Sequence, residues 1–521
     1  MKDKITKLYD KLINIIDSKK VGIATVILFG ISLLPVIYVG LHNYATGDDY
    51  WFGGLTHRAW VETGSLLEAL KSSCRLVVQM YTEWQGTWFT LFLFTLSPNN
   101  FVENGYVLTV FLGLGLLIGS FSYLANYYLI KKLKFTKGAI ATIVCMVLYL
   151  VIQYMPRTTS GIYWFNGIMH YSVPLLLASI AIVHTQRFID EKRSKDFFIL
   201  FICFFLLGGG SYLAPVAATL AVIGILVSKI EINEWNLNKR KIVLQYDFKN
   251  LWVLIALGAE FAGLLISFLA PGNSVRGGDE FGFSLKWALE CIYYAIDRGI
   301  YLGVDYFSEN LITVIIFILI ALLIWSQMWR VDTEECKFRW PLLFVIYTNG
   351  IYWASYTPEI YARSDVSGGV PNTYMQFFFI VTIANMVYVH GWLQRKLREH
   401  WHKKEVKTGQ SFEIIRNSSI LGQEKYKKYI LIPMASVVGV ILLVAVYESD
   451  IMTTNDYCIE YASSGKMKQF EEVRKEQHRI LSDKSIEEAV IPETTGQYPV
   501  LHMHLSENEK ASGNLDVALY Y

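Results

Sequence analysis

The stretch "VGIATVILFGISLLPVIYVGLHNYATGDDYWFGG", residues 21–54, joins a long apolar run to a pair of acids. The apolar run, 21–41, is long enough to cross the ~30 Å hydrocarbon core of a membrane as a helix. Asp48 and Asp49 follow it after a short polar turn. Because carboxylates are costly near lipid, acids that border a membrane span indicate a functional site.

Composition favours a protein built largely from membrane-spanning helices. The chain has 521 residues, of which 53% are hydrophobic and only 18% charged. Apolar runs of about 18 residues or more recur along it, which predicts an all-α polytopic membrane protein. The first run lacks a small-residue cleavage site, so we expect a retained span and not a removed signal peptide. The eleven predicted spans are 21–41, 101–129, 138–155, 172–188, 197–211, 212–228, 251–269, 309–328, 340–355, 374–393 and 430–447.

Lysine and arginine are distributed unequally between the two sides of this map. Of the 47 such residues, 32 lie in the N-terminal tail and the loops of one side, and eight lie in the opposite loops before residue 448. Because basic loops stay in the cytoplasm, we predict a plasma-membrane protein with its N-terminus cytoplasmic and its C-terminus outside. Its use of many Lys, Ile and Tyr residues indicates a bacterial source. A single helix over 197–228 would place the basic loop 394–429 outside, so two helices are predicted there.

Four loops on the predicted outer face are suited to carry a site. The first, 42–100, is long, and apolar residues recur in it at helical spacing over 66–84, which predicts an amphipathic helix on the membrane surface. The apolar run 86–98 that follows is too short to cross a membrane. Irregular backbone at membrane depth requires protein cover or a wet cavity. The three irregular loops expected to roof such a cavity are 157–171, 270–281 and 357–374.

The final segment, 448–521, differs in composition from the spans. We therefore divide the chain into a membrane domain, 1–447, and a small extracytoplasmic α+β domain. A charged amphipathic helix is predicted within 463–489. At about 70 residues, the segment is near the lower size limit for independent stability, so we expect it to pack on the outer loops. The predicted short strands are 489–493, 498–505 and 516–521.

Several function classes leave no signal in this sequence. Its basic runs flank the predicted spans and form no recognition motif, so no nucleic-acid partner is expected. No phosphate-binding loop, dinucleotide fingerprint or serine-hydrolase elbow is present in it. The six cysteines show neither paired spacing nor a zinc pattern, so we predict no structural disulfide.

The acid pair, the long first outer loop and "APGNSVR" at 270–276 together resemble one known family. They are similar to the GT-C class of integral membrane glycosyltransferases, and most to bacterial members related to phage-type glucosyltransferases, over residues 1 to about 447. In those relatives "DDY", "APGN…R" and an outer loop rich in Gly and Asn recur. The resemblance implies a polyprenyl-phosphate sugar as donor, a cell-envelope glycan as acceptor, membrane lipids as surroundings and a catalytic Asp in the first outer loop.

Glycosyl transfer from a lipid phosphate needs a base for the acceptor hydroxyl and cations for the departing phosphate. Asp48 and Asp49 are the expected catalytic acids. If Asp48 acts as the base, direct displacement inverts the anomeric centre, and Asp49 then orients Asp48 or holds a divalent cation, magnesium or manganese. Many relatives carry a second acidic pair in a later outer loop, for which Asp279–Glu280 is one candidate. The other expected site residues are Arg276, Arg363 and Arg157 for the donor phosphate, Glu83 and Asp365 as a second acid, and Tyr50, Trp164, Asn166, His170 and Asn273 for the sugar or acceptor.

Other interpretations of the same residues stay open at this point. Asp is a good N-cap, so the acid pair could simply cap the helix that follows it. A polysaccharide polymerase or ligase that uses a lipid-linked glycan would share the topology. A lipid or sugar flippase would need a polar path through the spans, whereas the ionisable residues here gather on one side. The sequence therefore favours an outward-facing enzyme over a transporter.

Overall fold

The computed structural model of the chain describes residues 19–236, 241–277, 284–332, 336–362, 368–408, 451–483, 485–486, 488–493, 498–500 and 512–521. Regular structure in these residues is almost entirely helical, as the apolar runs predict. The helices of the first half are α1 (Lys19–Ser32), α2 (Leu34–Gly40), α3 (Asp48–Thr63), α4 (Leu66–Glu83), α5 (Trp88–Phe94), α6 (Leu108–Ala125), α7 (Lys137–Gln153), α8 (Phe165–Glu191), α9 (Ser194–Leu207) and α10 (Leu213–Ser228).

An antiparallel strand pair, β1 (Glu231–Asn236) and β2 (Lys241–Gln245), separates the two halves of the chain. The helices of the second half are α11 (Val253–Phe268), α12 (Pro271–Gly277), α13 (Leu285–Ser308), α14 (Leu311–Met328), α15 (Pro341–Ala354), α16 (Thr357–Tyr361), α17 (Val370–Thr408), α18 (Thr454–Ser463), α19 (Lys466–Leu481) and α20 (Ser512–Tyr520).

Six helical stretches in the described ranges are long and apolar enough to cross a membrane, which makes the chain a multi-pass membrane protein by length and composition. Two further apolar helices, α7 and α10, are shorter. The predicted span 430–447 lies outside the residues that the structure describes, and the total of eleven stays a prediction. The six stretches are Lys19–Gly40, Gly105–Lys132, Phe165–Glu191, Phe248–Phe268, Leu311–Met328 and Val370–Lys403.

The predicted break within 197–228 is confirmed, because α9 ends at Leu207 and α10 begins at Leu213. The glycines between them also allow α9 to approach α11 closely. A Cβ added to Gly208 would lie 2.4 Å from the Glu260 carbonyl oxygen, closer than two such atoms can approach. The turn therefore has a packing role in addition to reversing the chain.

Two predicted outer loops are more regular than the sequence suggests. The loop 157–171 is helical from Phe165 onward, because α8 extends seven residues beyond the predicted start of its span at 172. Between the predicted spans 251–269 and 309–328, residues 285–308 form the 24-residue helix α13, which the span map left as loop because charges interrupt its apolar run. Its buried stripe consists of the small residues Cys291, Ala295, Gly299 and Gly303, which let the neighbouring helices approach closely.

The predicted helix over 66–84 is confirmed as α4, although the protein buries a different stripe of it, and its position on the membrane surface stays a prediction. The protein-facing residues are Ala69, Ser73, Leu76 and Met80. The predicted apolar stripe lies beside this one and is at most half-buried, with Leu66 56% exposed. That stripe consists of Leu66, Leu70, Cys74, Val77, Tyr81 and Trp84. Tertiary packing selects the smaller residues, because α3 lies close to this face of α4. The short run after it forms α5, as its length predicts.

The C-terminal segment packs on the face that carries the first loop, as predicted. Thr454 donates a hydrogen bond to the Ile152 carbonyl (2.6 Å), and Arg58 donates one to the Leu519 carbonyl (2.8 Å). The predicted helix within 463–489 is present as α19. The strand prediction for 516–521 is wrong, because these residues form α20, whose Val517 and Tyr520 are buried three positions apart in the first-loop core.

The remaining strand predictions for the C-terminal segment find no support in its described parts. Residues 489–493 and 498–500 are irregular, and 501–505 lie outside the described ranges. The described part of the segment is thus helical and shares hydrophobic cores with the rest of the protein. The division of the chain into two domains stays a prediction.

Candidate functional site

The acid pair occupies the first turn of α3, at the point where the chain leaves α2. Gly47 precedes the helix with a φ of 50°, a left-handed conformation that glycine adopts without strain. Asp48 and Asp49 are therefore the first two helical residues, where negative charge is favourable because the helix dipole is positive there. Their side chains point to different environments: Asp48 is exposed, and Asp49 is fully buried.

The Asp49 carboxylate links the first loop to two membrane helices. Its Oδ2 accepts hydrogen bonds from the Tyr106 hydroxyl (2.5 Å) and from the Thr46 backbone N–H (3.2 Å). The Tyr106 hydroxyl in turn accepts a hydrogen bond from the backbone N–H of Phe165 (3.2 Å). Phe165 is the first residue of α8. The capping hypothesis is wrong in its simple form, because the N-cap of α3 is Gly47 and no side chain caps the helix. Asp49 instead reaches beyond its own helix to the N-terminus of α8.

The environment of Asp49 makes it a base near neutral pH. Burial raises the pKa of its carboxyl to about 7. The Tyr106 hydroxyl and the backbone N–H groups of Thr46 and Asn166 oppose part of that rise because they stabilise the ionised form. The neighbouring charge of Asp48 raises it further. A carboxylate with this pKa is matched to proton transfer at physiological pH.

Buried polar atoms without hydrogen-bond partners gather around Asp49. Among the described residues, sixteen buried side-chain polar atoms lack a partner, and six of these belong to residues 43–49 and 164–166. The two segments touch, because Asn43 Nδ2 donates to the Tyr163 carbonyl at 2.6 Å. Native proteins satisfy most buried polar atoms, so such a concentration is typical of a place that binds water or a polar ligand. The six atoms are Asn43 Oδ1, Thr46 Oγ1, Asp49 Oδ1, Trp164 Nε1, and Asn166 Nδ2 and Oδ1.

Asp48 lies at the rim of this region beside the C-terminal helix α20. It is exposed, yet surrounding protein removes enough water to raise the pKa of its carboxyl. Burial, followed by the charge of Asp48, raises the pKa of Asp516 to about 6. Two carboxylates that oppose each other's ionisation must lie close together. The C-terminal segment therefore brings a third acid to the rim.

Two of the residues expected to contact sugar or acceptor lie in the region just described. Asn166 is 1% exposed, and neither atom of its amide has a partner. Trp164 precedes α8 and leaves its indole N–H unbonded. His170 lies one turn further along α8, where its Nδ1 is 3.1 Å from the Thr90 hydroxyl. The structure thus brings Trp164 and Asn166 to Asp49 and gives His170 a partner of its own.

Tyr50 and Asn273, also expected at the sugar, have structural partners instead. The Tyr50 hydroxyl accepts a hydrogen bond from Arg474, and its ring packs edge-on against Tyr520 at 4.9 Å. The Asn273 amide donates to the Ser267 carbonyl (2.7 Å) and accepts from the Gly86 N–H (3.0 Å). Asn273 therefore ties the end of α11 to the first loop, because both sides of its amide are used by backbone groups.

Of the expected phosphate-binding arginines, Arg276 and Arg157 lie in the described residues and have partners other than Asp49. Arg276 bonds Gln85 and stacks over Trp84, with its guanidinium carbon 5.1 Å from the ring centroid. Arg157 has an exposed side chain, and its backbone N–H and carbonyl are both bonded to the Asn372 amide at 2.8 Å. Arg363 lies outside the described residues. Arg276 still acts electrostatically on His170, so it remains near the N-terminal end of α8.

The second-acid predictions find no support where they can be examined. Glu83 is exposed at the end of α4 and accepts a hydrogen bond from Gln79 on the same helix (2.9 Å). Asp365 and the pair Asp279–Glu280 lie outside the described ranges. The described residues also contain no group of three or more His, Cys, Asp or Glu that could hold a metal ion. Magnesium or manganese at Asp48 and Asp49 stays a prediction.

Sequence reasoning missed Tyr106 and Arg474. Tyr106 stands at the start of an apolar span, where a tyrosine is ordinarily interpreted as part of the interfacial aromatic belt. Arg474 carries a clearer signal, because it falls on the buried stripe of α19 with Met467, Phe470 and Gln477. An arginine at an apolar position of a helix predicts a buried cation.

The chain matches no protein-family model, no curated protein and no solved structure.

Proposed function

We propose that this protein is a glycosyltransferase of the GT-C type. It moves a sugar from an undecaprenyl-phosphate-type donor to a cell-envelope glycan on the outer face of the bacterial plasma membrane. The observation that carries the proposal is Asp49: a fully buried carboxylate with a pKa of about 7 and an unbonded Oδ1 among other unbonded polar atoms. It lies where a membrane span meets a loop, which is where the sugar of a lipid-linked donor sits.

Asp49 is the base in this mechanism. Its carboxylate accepts the proton of the acceptor hydroxyl while that oxygen bonds to the anomeric carbon of the donor sugar. The bond between the anomeric carbon and the phosphate oxygen breaks, and its electron pair leaves with polyprenyl phosphate. A single displacement of this kind inverts the anomeric centre. Tyr106 holds Asp49 Oδ2, so that Oδ1 is the oxygen free to receive the proton.

The polar atoms around Asp49 suit recognition of sugar hydroxyls. The Asn166 amide offers both a donor and an acceptor, and Asn43 Oδ1 offers a further acceptor. Trp164 adds an indole N–H and an aromatic face. Burial of these groups strengthens each hydrogen bond to a bound sugar because little water competes.

The test uses purified protein in lipid nanodiscs with a panel of undecaprenyl-phosphate hexoses and cell-envelope glycan as acceptor. We expect at least one donor to release undecaprenyl phosphate with glycan labelled by its sugar, and the Asp49→Asn variant to lose that release. The proposal fails if the wild type cleaves no donor in the panel, or if Asp49→Asn cleaves the donor at the wild-type rate.

A further inference from the structure

Arg474 of α19 is a buried cation held against the first loop. It is 7% exposed. One guanidinium nitrogen, Nη2, donates to the Ala45 carbonyl (3.2 Å) and to the Tyr50 hydroxyl, and Nη1 donates to Gln477 Oε1 (2.6 Å). The third nitrogen, Nε, is buried and has no partner. The guanidinium is therefore fixed by neutral groups only.

The described part of the chain places no carboxylate within ion-pair distance of Arg474. Glu471, three residues before Arg474 on the same helix, is engaged with His42 at 3.0 Å and with Lys475 at 2.5 Å. Arg479 on the same helix provides a contrast, since it is exposed and bonds Glu476 through both Nε and Nη2. Exposed Arg479, which water already solvates, thus has a counter-charge. Buried Arg474 has none among the described residues.

A buried guanidinium without an anion is costly, and burial of a charge is normally compensated by pairing. Two tyrosine rings share the position, with the guanidinium carbon 5.9 Å from the centroid of Tyr44 and 5.8 Å from that of Tyr50. Rings at these distances orient the cation. An oriented guanidinium with a free N–H edge is suited to bind phosphate.

The residues that hold Arg474 also lead into the acid pair. Ala45 and Tyr50 flank Asp48 and Asp49 in the first loop, so the Arg474 guanidinium contacts the same turn as the proposed base. We propose that Arg474 binds the phosphate of a phospholipid-type ligand, and that the C-terminal segment thereby supplies the cation that the first-loop site requires. The proposal rests on the proposed function for the identity of that ligand, a polyprenyl phosphate.

The first experiment measures binding to the wild-type protein in nanodiscs of neutral lipid. The probes are undecaprenyl phosphate, uncharged undecaprenol, inorganic phosphate and phosphatidylglycerol. We expect undecaprenyl phosphate to raise the thermal unfolding temperature and undecaprenol to leave it unchanged. Equal shifts with phosphatidylglycerol would reassign the site to a lipid headgroup, and a shift with inorganic phosphate alone would reassign it to the free anion. No shift with any phosphate-bearing probe would overturn the proposal.

The second experiment compares Arg474→Lys with Arg479→Lys as a matched control on the same helix. Loss of a charge-assisted bond to phosphate weakens binding by about ten- to hundredfold, so we expect that increase in the dissociation constant for undecaprenyl phosphate at position 474 and none at 479. Unchanged affinity in folded Arg474→Lys overturns the inference. If that variant does not fold, the wild-type comparison of undecaprenyl phosphate with undecaprenol decides.

Failure of this inference and failure of the proposed function have different signatures. If Arg474→Lys keeps normal phosphate affinity while the wild type transfers sugar, only the inference is wrong. If undecaprenyl phosphate binds through Arg474 while no sugar donor is cleaved, the proposed function is wrong and the phosphate site stands.

Discussion

Two buried polar clusters at opposite ends of α8 differ in how many of their atoms are bonded. At the C-terminal end, His184 Nδ1 lies 2.6 Å from Asp196 Oδ1, and the Tyr123 hydroxyl lies 2.9 Å from His184 Nε2. Arg187 Nε is 3.3 Å from the same Asp196 oxygen. At the N-terminal end, Asp49 keeps one oxygen unbonded, and Asn166 keeps its whole amide unbonded.

The difference separates a structural cluster from a candidate site. In the cluster around Asp196, each ring nitrogen of His184 and each carboxylate oxygen has a partner, so its bonds stabilise the packing of α8 against α9. In the cluster around Asp49, unbonded polar groups reduce stability until something binds them. The central carboxylates of both clusters are buried, with Asp196 2% and Asp49 0% exposed, so burial of the acid by itself would not have distinguished the clusters.

The largest expected effect is on catalysis at Asp49. Replacing it as Asp49→Asn keeps the shape and the Tyr106 contact but removes the base, so transfer should fall by about a thousandfold. Asp48→Asn, at the exposed rim, should cost less than tenfold. Steady-state transfer in nanodiscs measures both. A larger loss at Asp48 than at Asp49 would assign the base to the other acid.

Stability should also respond to pH through Asp49. Its folded pKa, about 7, lies above its ordinary value of 3.8, so the folded state holds its proton more tightly than the unfolded state. Stability therefore falls as pH rises from about 4 to 7, by about 4 kcal/mol for a shift of roughly three units. Between pH 4 and 7, the thermal unfolding temperature of Asp49→Asn should rise relative to that of the wild type. A constant difference between the two temperatures would contradict the raised pKa of Asp49.

Removal of Asp196 from the bonded cluster should lower the free energy of unfolding and leave the rate of sugar transfer unchanged. Asp196→Ala strands a buried His184 and frees Arg187, which should cost about 3 kcal/mol of unfolding free energy. Transfer per folded molecule should stay at the wild-type rate, because Asp196 lies at the opposite end of α8 from Asp49. A thermal melt beside a transfer assay checks this. Loss of transfer in properly folded Asp196→Ala would erase the distinction between the clusters.

The smallest expected effect comes from Tyr106→Phe. The hydroxyl lowers the pKa of Asp49 by stabilising its carboxylate, so its removal should raise that pKa by about one unit. The base must be ionised to act, so the rising limb of the pH–rate profile should move to higher pH by about one unit, and the rate at pH 7 should drop about fivefold. Recovery of the Tyr106→Phe rate at pH 9 shows that a higher pKa of Asp49 caused the loss, because a misfolded variant would stay inactive at that pH.

The sequence predicted the helices and the position of the acid pair because both depend on local information. A span of about 20 apolar residues has no alternative to crossing lipid as a helix, and the break after Leu207 follows from three consecutive glycines. The extent of α8 and the existence of α13 were not predicted, because tertiary contacts stabilise their polar turns. For the same reason the final residues form α20 and not a strand.

The chemistry-bearing residue types of the first loop were thus determined by the sequence itself: two acids next to a span, with aromatic and amide side chains in a later loop. Only the tertiary structure decided that Asp49 is the buried acid and Asp48 the exposed one, that Tyr106 and the start of α8 close around it, and that a buried arginine arrives from the C-terminal segment. The physical reason is that hydrogen-bond partners, desolvation and counter-charges come from residues far apart in the chain, and a single sequence does not record which of them meet.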